Sequence, residues 1–480
     1  MLKKLVGRNG PLGVFTEFPV LITLGIICVC AEMSWATLLI VMEFYFKEEL
    51  LREQSPQFIA SKVATAWLAF VGLETIFKYK MGALSDKYGP RPFVLLSLGI
   101  CTITPLILVL INYFFDIKWF HFIPLRALDG FAAAALWPAM SAMMAHAVPR
   151  SAKAAAMSVF NAAYCLGLAV GPMLGLYLGH RFGSNIYVFP LCSALMFIGL
   201  IIAYRTLNFP AATARGIDHD EVHSGESIEA DKSLLRSRPL LMRMMALYAL
   251  SQLGVGVLGP TIPIYIETQF GITQGDLPRM IAFPALLVVL IAIPLGRVPD
   301  TLGRARSVWV SYVLAAVGML CISLTSLMPR TTELVSFPVA LFGFGVTLMI
   351  VSFILGTPAW LGLTSLQVDS SRQAQALSLM QTAQGVGVVI AFSLVTFAGY
   401  WMTQWKKVGA RLHHEAMPDA TQLAVVSKDA VPLSVWFWLS TVVFFLCMIG
   451  TLIWVREPEH DDRAEELAAS AKQPLEITGV

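Results

Sequence analysis

Twelve long apolar runs limit what this chain can become more than any other feature. They lie near 18–43, 58–81, 93–115, 119–146, 154–179, 185–205, 240–266, 278–296, 307–328, 335–360, 374–400 and 432–455. Each approaches or exceeds the ~20 residues with which an α-helix crosses a bilayer. Only 14% of the residues are charged, against about 25% in a soluble domain. In hydrocarbon every backbone N–H and C=O must be satisfied within the protein, and runs of this length do so as helices. The expected fold is all-α, a membrane protein of twelve transmembrane helices, numbered here spans 1 to 12.

Lys and Arg set the expected orientation. With the N-terminus in the cytosol, 22 of the 34 fall at cytosolic ends and loops, 11 on the outer side, and Arg126 alone inside a span. That is the positive-inside bias, and an even number of spans puts both termini in the cytosol. The first run is too long for the apolar region of a cleaved leader and lacks a small-residue cleavage site after it, so it is expected to stay as span 1. The net charge of +3 follows from this topology and gives no sign of a nucleic-acid partner. All seven cysteines fall inside spans without metal-ligand spacing and read as small reduced hydrophobes. There is no Walker-type loop, and His413–His414 reads as an external-loop pair. The chain is therefore expected to be no enzyme and to need no metal or cofactor.

The chain repeats itself. "GALSDKYGPRP" (Gly82–Pro92) returns as "GRVPDTLGRAR" (Gly296–Arg306), with Gly82/Gly296, Asp86/Asp300 and Gly89/Gly303 at an offset of 214. "AMSVFNAAYCLG" in span 5 lies over "ALSLMQTAQGVG" in span 11 at an offset of 220, Asn161 over Gln381 and Gly167 over Gly387. A polar stretch, acidic in its middle, separates the copies. The expected organisation is residues 1–206 and 240–456 as two six-helix bundles, 207–239 as a cytosolic linker and 457–480 as a cytosolic tail. The one sizeable outer loop is 401–431.

The first of these motifs resembles the loop 2–3 signature of the major facilitator superfamily, G-x-L-[SA]-D-[RK]-x-G-[RK]-[RK]. Gly82, Leu84, Ser85, Asp86, Lys87, Gly89 and Arg91 match, and Pro90 departs. The resemblance implies two pseudo-symmetric bundles that rock about a site between them, in a monomer whose partners are a small-molecule substrate, protons and the lipid bilayer. It also implies a cytosolic gate at Gly82, Asp86, Lys87, Gly89 and Arg91, with Asp300, Gly303 and Arg304 in the second copy. Asp86 would sit near the N-terminal end of span 11, where a carboxylate favours the positive helix end. Glu74 and Lys78, an i,i+4 pair that satisfies itself on one helix, lie near the inner end of span 2 and join this gate.

Ionisable residues inside a span are costly and by default functional. Glu32 in span 1 and Arg126 and Asp129 in span 4 are such residues, and helical rise places Glu32 and Arg126 at similar depth. "RALDG" resembles the R-x-x-x-G motif of proton-coupled family members. A guanidinium that cannot titrate can alter the proton affinity of a carboxylate it pairs with, so Arg126 with Glu32 or Asp129 would form a proton switch. A static buried pair that fixes helix packing is the alternative. At the offset of 220 the partner of Glu32 is Gln252, which cannot titrate, so protonation is expected in the first half only.

"GLAVGPMLGLYLG" resembles the antiporter motif G-x-x-x-G-P-x-x-G-G through Gly167, Gly171, Pro172 and Gly175, with Leu176 in place of the last glycine. "GPTIPIY" in span 7 resembles a proline signature of the same drug:proton antiporter branch. The resemblance implies export of small amphipathic or lipophilic molecules across a cell membrane, the bacterial inner membrane. Trp35, Trp137, Met140, Gln252, Trp360, Gln381 and Gln384 are the candidate cavity residues. Proton-linked transport of a polar metabolite such as a sugar, or a non-transporting sensor on the same fold, remain the alternatives.

Overall fold

The computed structural model describes residues 19–147, 153–207, 239–278, 291, 295, 298–333, 336–367, 373–414 and 433–455. Thirteen α-helices occur among them. In the first half these are α1 (Val20–Tyr45, prolonged by a π-turn at Phe46–Leu50), α2 (Pro56–Tyr88), α3 (Pro90–Phe114), α4 (Phe122–His146), α5 (Lys153–Phe182) and α6 (Phe189–Thr206). In the second they are α7 (Pro239–Gly256), α8 (Ile262–Phe270), α9 (Val298–Leu302), α10 (Arg304–Thr325), α11 (Phe337–Leu366), α12 (Gln373–His414) and α13 (Ser434–Trp454). Nine helical segments among the described residues are long and apolar enough to cross a membrane. Leu110 of α3 and Leu452 of α13 face outward, as side chains do when the surrounding solvent is lipid.

Three elements depart from the expected runs. Span 2 does not stop before the "GALSDKY" motif: α2 continues through it as 33 residues and ends only at Gly89. Span 11 continues beyond residue 400 as one helix to His414, because no proline interrupts it, so part of the expected outer loop is helical. Span 7 is broken into α7 and α8. Between them Leu258 N–H turns back to Val255 O at 3.0 Å and Thr261 N–H to Leu258 O at 3.0 Å. Gly259 and Pro260 explain the break, one by its conformational freedom and the other by its missing N–H. Nearly all of span 8 and of the linker, and the whole tail at 457–480, lie outside the described residues.

The two halves pack alike. α1 lies on α5 and α6, and α3 on α4 and α6; likewise α7 lies on α12 and α13, and α10 on α11 and α13. Advancing each span by six converts the first set of pairings into the second. The halves meet along α2 and α12. There Thr65 Oγ1 donates to Thr396 Oγ1 at 3.4 Å, and a Cβ on Gly385 would stand 2.3 Å from Thr75 Oγ1.

The repeated motif keeps its geometry. Gly89 has φ 85° and ψ 151°, and Gly303 has φ 92° and ψ 139°, a region open almost only to glycine. Each opens a helix, α3 or α10. Gly89→Ala and Gly303→Ala are each expected to cost about 1–3 kcal/mol and to lower the unfolding midpoint by similar amounts. Thermal unfolding in detergent checks this, and unequal losses would break the equivalence of the two turns.

Candidate functional site

Glu32 stands midway along α1, where packed protein surrounds it and only 6% of it is exposed. Tyr164 of α5 hydrogen-bonds its carboxyl, and Glu74 of α2 is close enough for the two carboxylates to interact. Lys78 holds Glu74 at 2.9 Å, one turn along the same helix. Because α2 runs on to Tyr88, Glu74 lies well inside its helix and shares the surroundings of Glu32.

An aromatic wall adjoins this group. Trp137 of α4 packs on Trp35 of α1 (ring centroids 5.4 Å), Phe160 (6.0 Å) and Tyr164 (5.7 Å) of α5. Trp35 also meets Phe70 of α2 edge-on at 6.0 Å. An acid with a phenol partner, a second acid held by a lysine and adjoining ring faces can hold a proton and can meet an apolar or cationic molecule.

Arg126 and Asp129 form a separate cluster. They make an ion pair one turn apart on α4, and each is 1% exposed. Thr104 of α3 donates its hydroxyl to Asp129 Oδ1, and the Cys101 thiol hydrogen-bonds Asp129. Ser34 of α1 donates to the Cys192 carbonyl of α6 at 3.1 Å, alongside this pair. Nε and Nη1 of Arg126 find no acceptor among the described residues. Of the two carboxylates open to Arg126 in the sequence, the structure gives it Asp129, while Glu32 goes to Tyr164. Gly130, which closes the R-x-x-x-G motif, brings α4 against α2: a Cβ there would stand 2.0 Å from Phe70 O.

The antiporter-like stripe packs α5 on α1. A Cβ on Gly167 would lie 2.7 Å from Glu32 Cβ, one on Gly171 2.5 Å from Met33 O, and one on Gly175 2.6 Å from Thr37 Cγ2. Thr37 donates to Gly171 O at 2.8 Å, and Pro172 lies inside α5. The second half repeats the contact. A Cβ on Gly387 would lie 3.0 Å from Gln252 Cβ and 2.1 Å from Ala249 O, as one on Gly167 would lie 3.0 Å from Val29 O. Every member of that contact is shifted by 220, so Glu32 and Gln252 occupy equivalent places in space. The same shift takes Tyr164 to Gln384, and that correspondence was the available sequence signal for Tyr164.

In the gate motif Gly82 is helical and faces Pro138 Cβ at 3.6 Å, so of the two glycines only Gly89 makes the turn. The Lys87 ammonium lies over the Tyr88 ring at 5.3 Å. Arg91 donates to Tyr204 O at 3.2 Å and Arg304 to Gly362 O at 2.8 Å, both bonds within one half. The side chains of Asp86 and Asp300 lie outside the described residues. Among the cavity candidates, Met140 and Trp360 belong to the packed core, and Trp360 Nε1 donates to Tyr312 Oη at 2.8 Å. Gln252 is buried against α12, and Gln381 and Gln384 are half-buried.

Two matching helical halves joined along α2 and α12, with apolar helices long enough to cross a membrane and buried acids in the first half, define a polytopic helical membrane protein. A model of the Major Facilitator Superfamily matches residues 24–392, and the chain belongs to that superfamily. It is 26% identical over 251 residues to the uncharacterized MFS-type transporter YhjO of Bacillus subtilis, covering 52% of this chain and 58% of that one. It is 25% identical over 240 residues to Multidrug resistance protein 2 of Bacillus subtilis, covering 49% and 57%. The chain thus spans somewhat more than half the length of these relatives, and those named for multidrug resistance agree with the drug:proton antiporter branch. Among solved structures, a D-xylose-proton symporter superposes with a TM-score of 0.69 at 13% identity, covering 92% of this chain and 98% of that one. That likeness is one of fold.

Proposed function

We propose that this protein is a proton-coupled secondary transporter that exports small amphipathic or lipophilic molecules by alternating access. The observation that carries the reading is Glu32. It is buried with a phenol partner, adjoins a wall of aromatic rings, and is packed under the stripe Gly167, Gly171 and Gly175. In this reading Glu32 and the Arg126–Asp129 pair carry the proton, and Trp35 and Trp137 meet the substrate. Gln252, Gln381 and Gln384 supply hydrogen bonds, while Met140 and Trp360 would reach substrate only after the packing around them rearranges. Asp86, Lys87 and Arg91, with Asp300 and Arg304, gate the cytosolic side, and both termini lie in the cytosol. The relatives named for multidrug resistance support export.

Proton-linked movement of a polar metabolite is the second reading, favoured by the half-buried Gln381 and Gln384. Flux into proteoliposomes across a panel of lipophilic cations, neutral drugs and sugars, with and without a pH gradient, separates the two. Glu32→Gln is expected to abolish gradient-driven flux while retaining substrate binding and counterflow. Gradient-driven flux unchanged in that variant would remove Glu32 from the coupling.

A further inference from the structure

The end of the bundle that the charge bias assigns to the exterior is shut by contacts between halves that the reading above does not use. Lys47, in the π-turn after α1, forms an ion pair with Glu267 of α8. Asn185, ahead of α6, and Gln274, after α8, exchange side-chain hydrogen bonds of 2.6 and 3.3 Å. Glu49 holds Asn185 in place, accepting from its backbone N–H and from the Ser184 hydroxyl, each at 2.7 Å. A Cβ on Gly275 would stand 2.8 Å from the His180 ring.

One turn of α1 beneath Lys47 lies Glu43, which the expected end of span 1 at residue 43 left at a boundary. It is 2% exposed, and its Oε1 has no hydrogen-bond partner among the described residues. The backbone N–H of Ile264 reaches its carboxyl. Ile264 is in the first turn of α8, whose N–H groups have no partner in their own helix. Glu43 therefore caps, across the boundary between halves, the helix that begins at the break in span 7. The charged group facing Glu43 from its own helix is Lys47, which Glu48 and, from α8, Glu267 also engage. Glu48 and Glu49 are turned to Asn185 and Ser184, and Asp276 to Thr273.

We propose that closing this outer side takes up a proton at Glu43, making Glu43 a proton-carrying residue of an outer gate separate from Glu32 and Asp129. The proposal rests on the transport reading and the orientation given above. A carboxylate withdrawn from water, with one oxygen unpartnered among the described residues and Lys47, one turn away, paired with Glu267, carries a cost that the neutral acid avoids. Opening this side returns water to the group and removes that cost. The closed form thus binds the proton and the open form releases it, so acid favours closure and alkali favours opening.

The test is a distance between halves. Arg181 and Glu333, both exposed and outside the latch, are replaced by spin-labelled cysteines in a background without the native thiols, and the protein is followed in lipid nanodiscs by electron–electron resonance. In the otherwise unaltered protein the long-distance population should rise several-fold from acid to alkaline pH. Glu43→Gln should hold the short distance throughout. Glu267→Gln, at a partly exposed site, should enlarge the long-distance population and move the transition to more acid pH, because Lys47 is then free to hold Glu43 ionised. Glu32→Gln, which removes a coupling proton of the reading above, should move the midpoint but leave a pH-dependent transition because Glu43 still titrates, so failure of the flux reading and of this proposal are told apart. The proposal is overturned by a distance that ignores pH, by Glu43→Gln responding like the unaltered protein, or by Glu32→Gln losing the transition. If Glu43→Gln does not fold, the Glu267→Gln shift decides alone, and its absence also overturns the proposal.

Discussion

Asp129→Ala is expected to destabilise the purified protein by about 3–5 kcal/mol, the usual consequence of stranding one charge of a buried pair, and to abolish flux. The stranded group is Arg126, 1% exposed, whose Nε and Nη1 already lack acceptors among the described residues. A double variant separates structure from mechanism. Arg126→Met with Asp129→Ala removes both charges, and replacing a buried pair by apolar groups is often neutral or stabilising. The double variant should therefore recover most of the lost unfolding midpoint while its flux stays absent. If it recovered stability and also transported like the unaltered protein, the pair would be a packing device and the proton switch would be wrong. Thermal unfolding and proteoliposome flux on the same preparations give both readouts.

The architecture was legible because the solvent is written into the residues. Runs near twenty apolar side chains admit few structures in lipid, and the repeated Gly89 and Gly303 turns kept their unusual dihedrals. The equivalence of Glu32 and Gln252 was legible too, through an offset that the glycines packed on them obey. The choice of partner for Arg126 was not. Residues 126 and 129 share a helix face at three apart, but which face of α1 presents Glu32 to α5 is decided by close approach at Gly167 and Gly171. Local spacing carries no such information. The full length of α2 was not legible, because the charges and glycines of "GALSDKY" read as a loop, whereas only Gly89 leaves helical geometry. Glu43 was hidden for the same reason, since Lys47, Glu48 and Glu49 read as the start of a loop and are instead a helical turn that latches the two halves.

Gly130→Ala is expected to damage the fold out of proportion to one methyl group. The added Cβ would lie 2.0 Å from Phe70 O, 2.7 Å from Phe70 C and 2.9 Å from Phe70 Cα. All three are backbone atoms, so no side-chain rotation relieves the clash, and α4 must move off α2. Overpacking of this kind costs about 1–3 kcal/mol, occasionally more, which exceeds the up to ~1 kcal/mol that Ala gains over Gly inside a helix. Gly72→Ala is the matched control: it lies on α2, two residues from Phe70, and a Cβ there meets nothing within 4 Å among the described residues. That variant should be as stable as the parent or slightly more so. Transport should separate them as well. Gly130 follows Asp129 directly, so displacing α4 draws Asp129 from Thr104 of α3 and loosens the cluster around Arg126. Flux is expected to fall several-fold in Gly130→Ala and to be unchanged in Gly72→Ala. Equal unfolding midpoints for the two variants would mean that α2 and α4 do not approach as closely as their glycine allows.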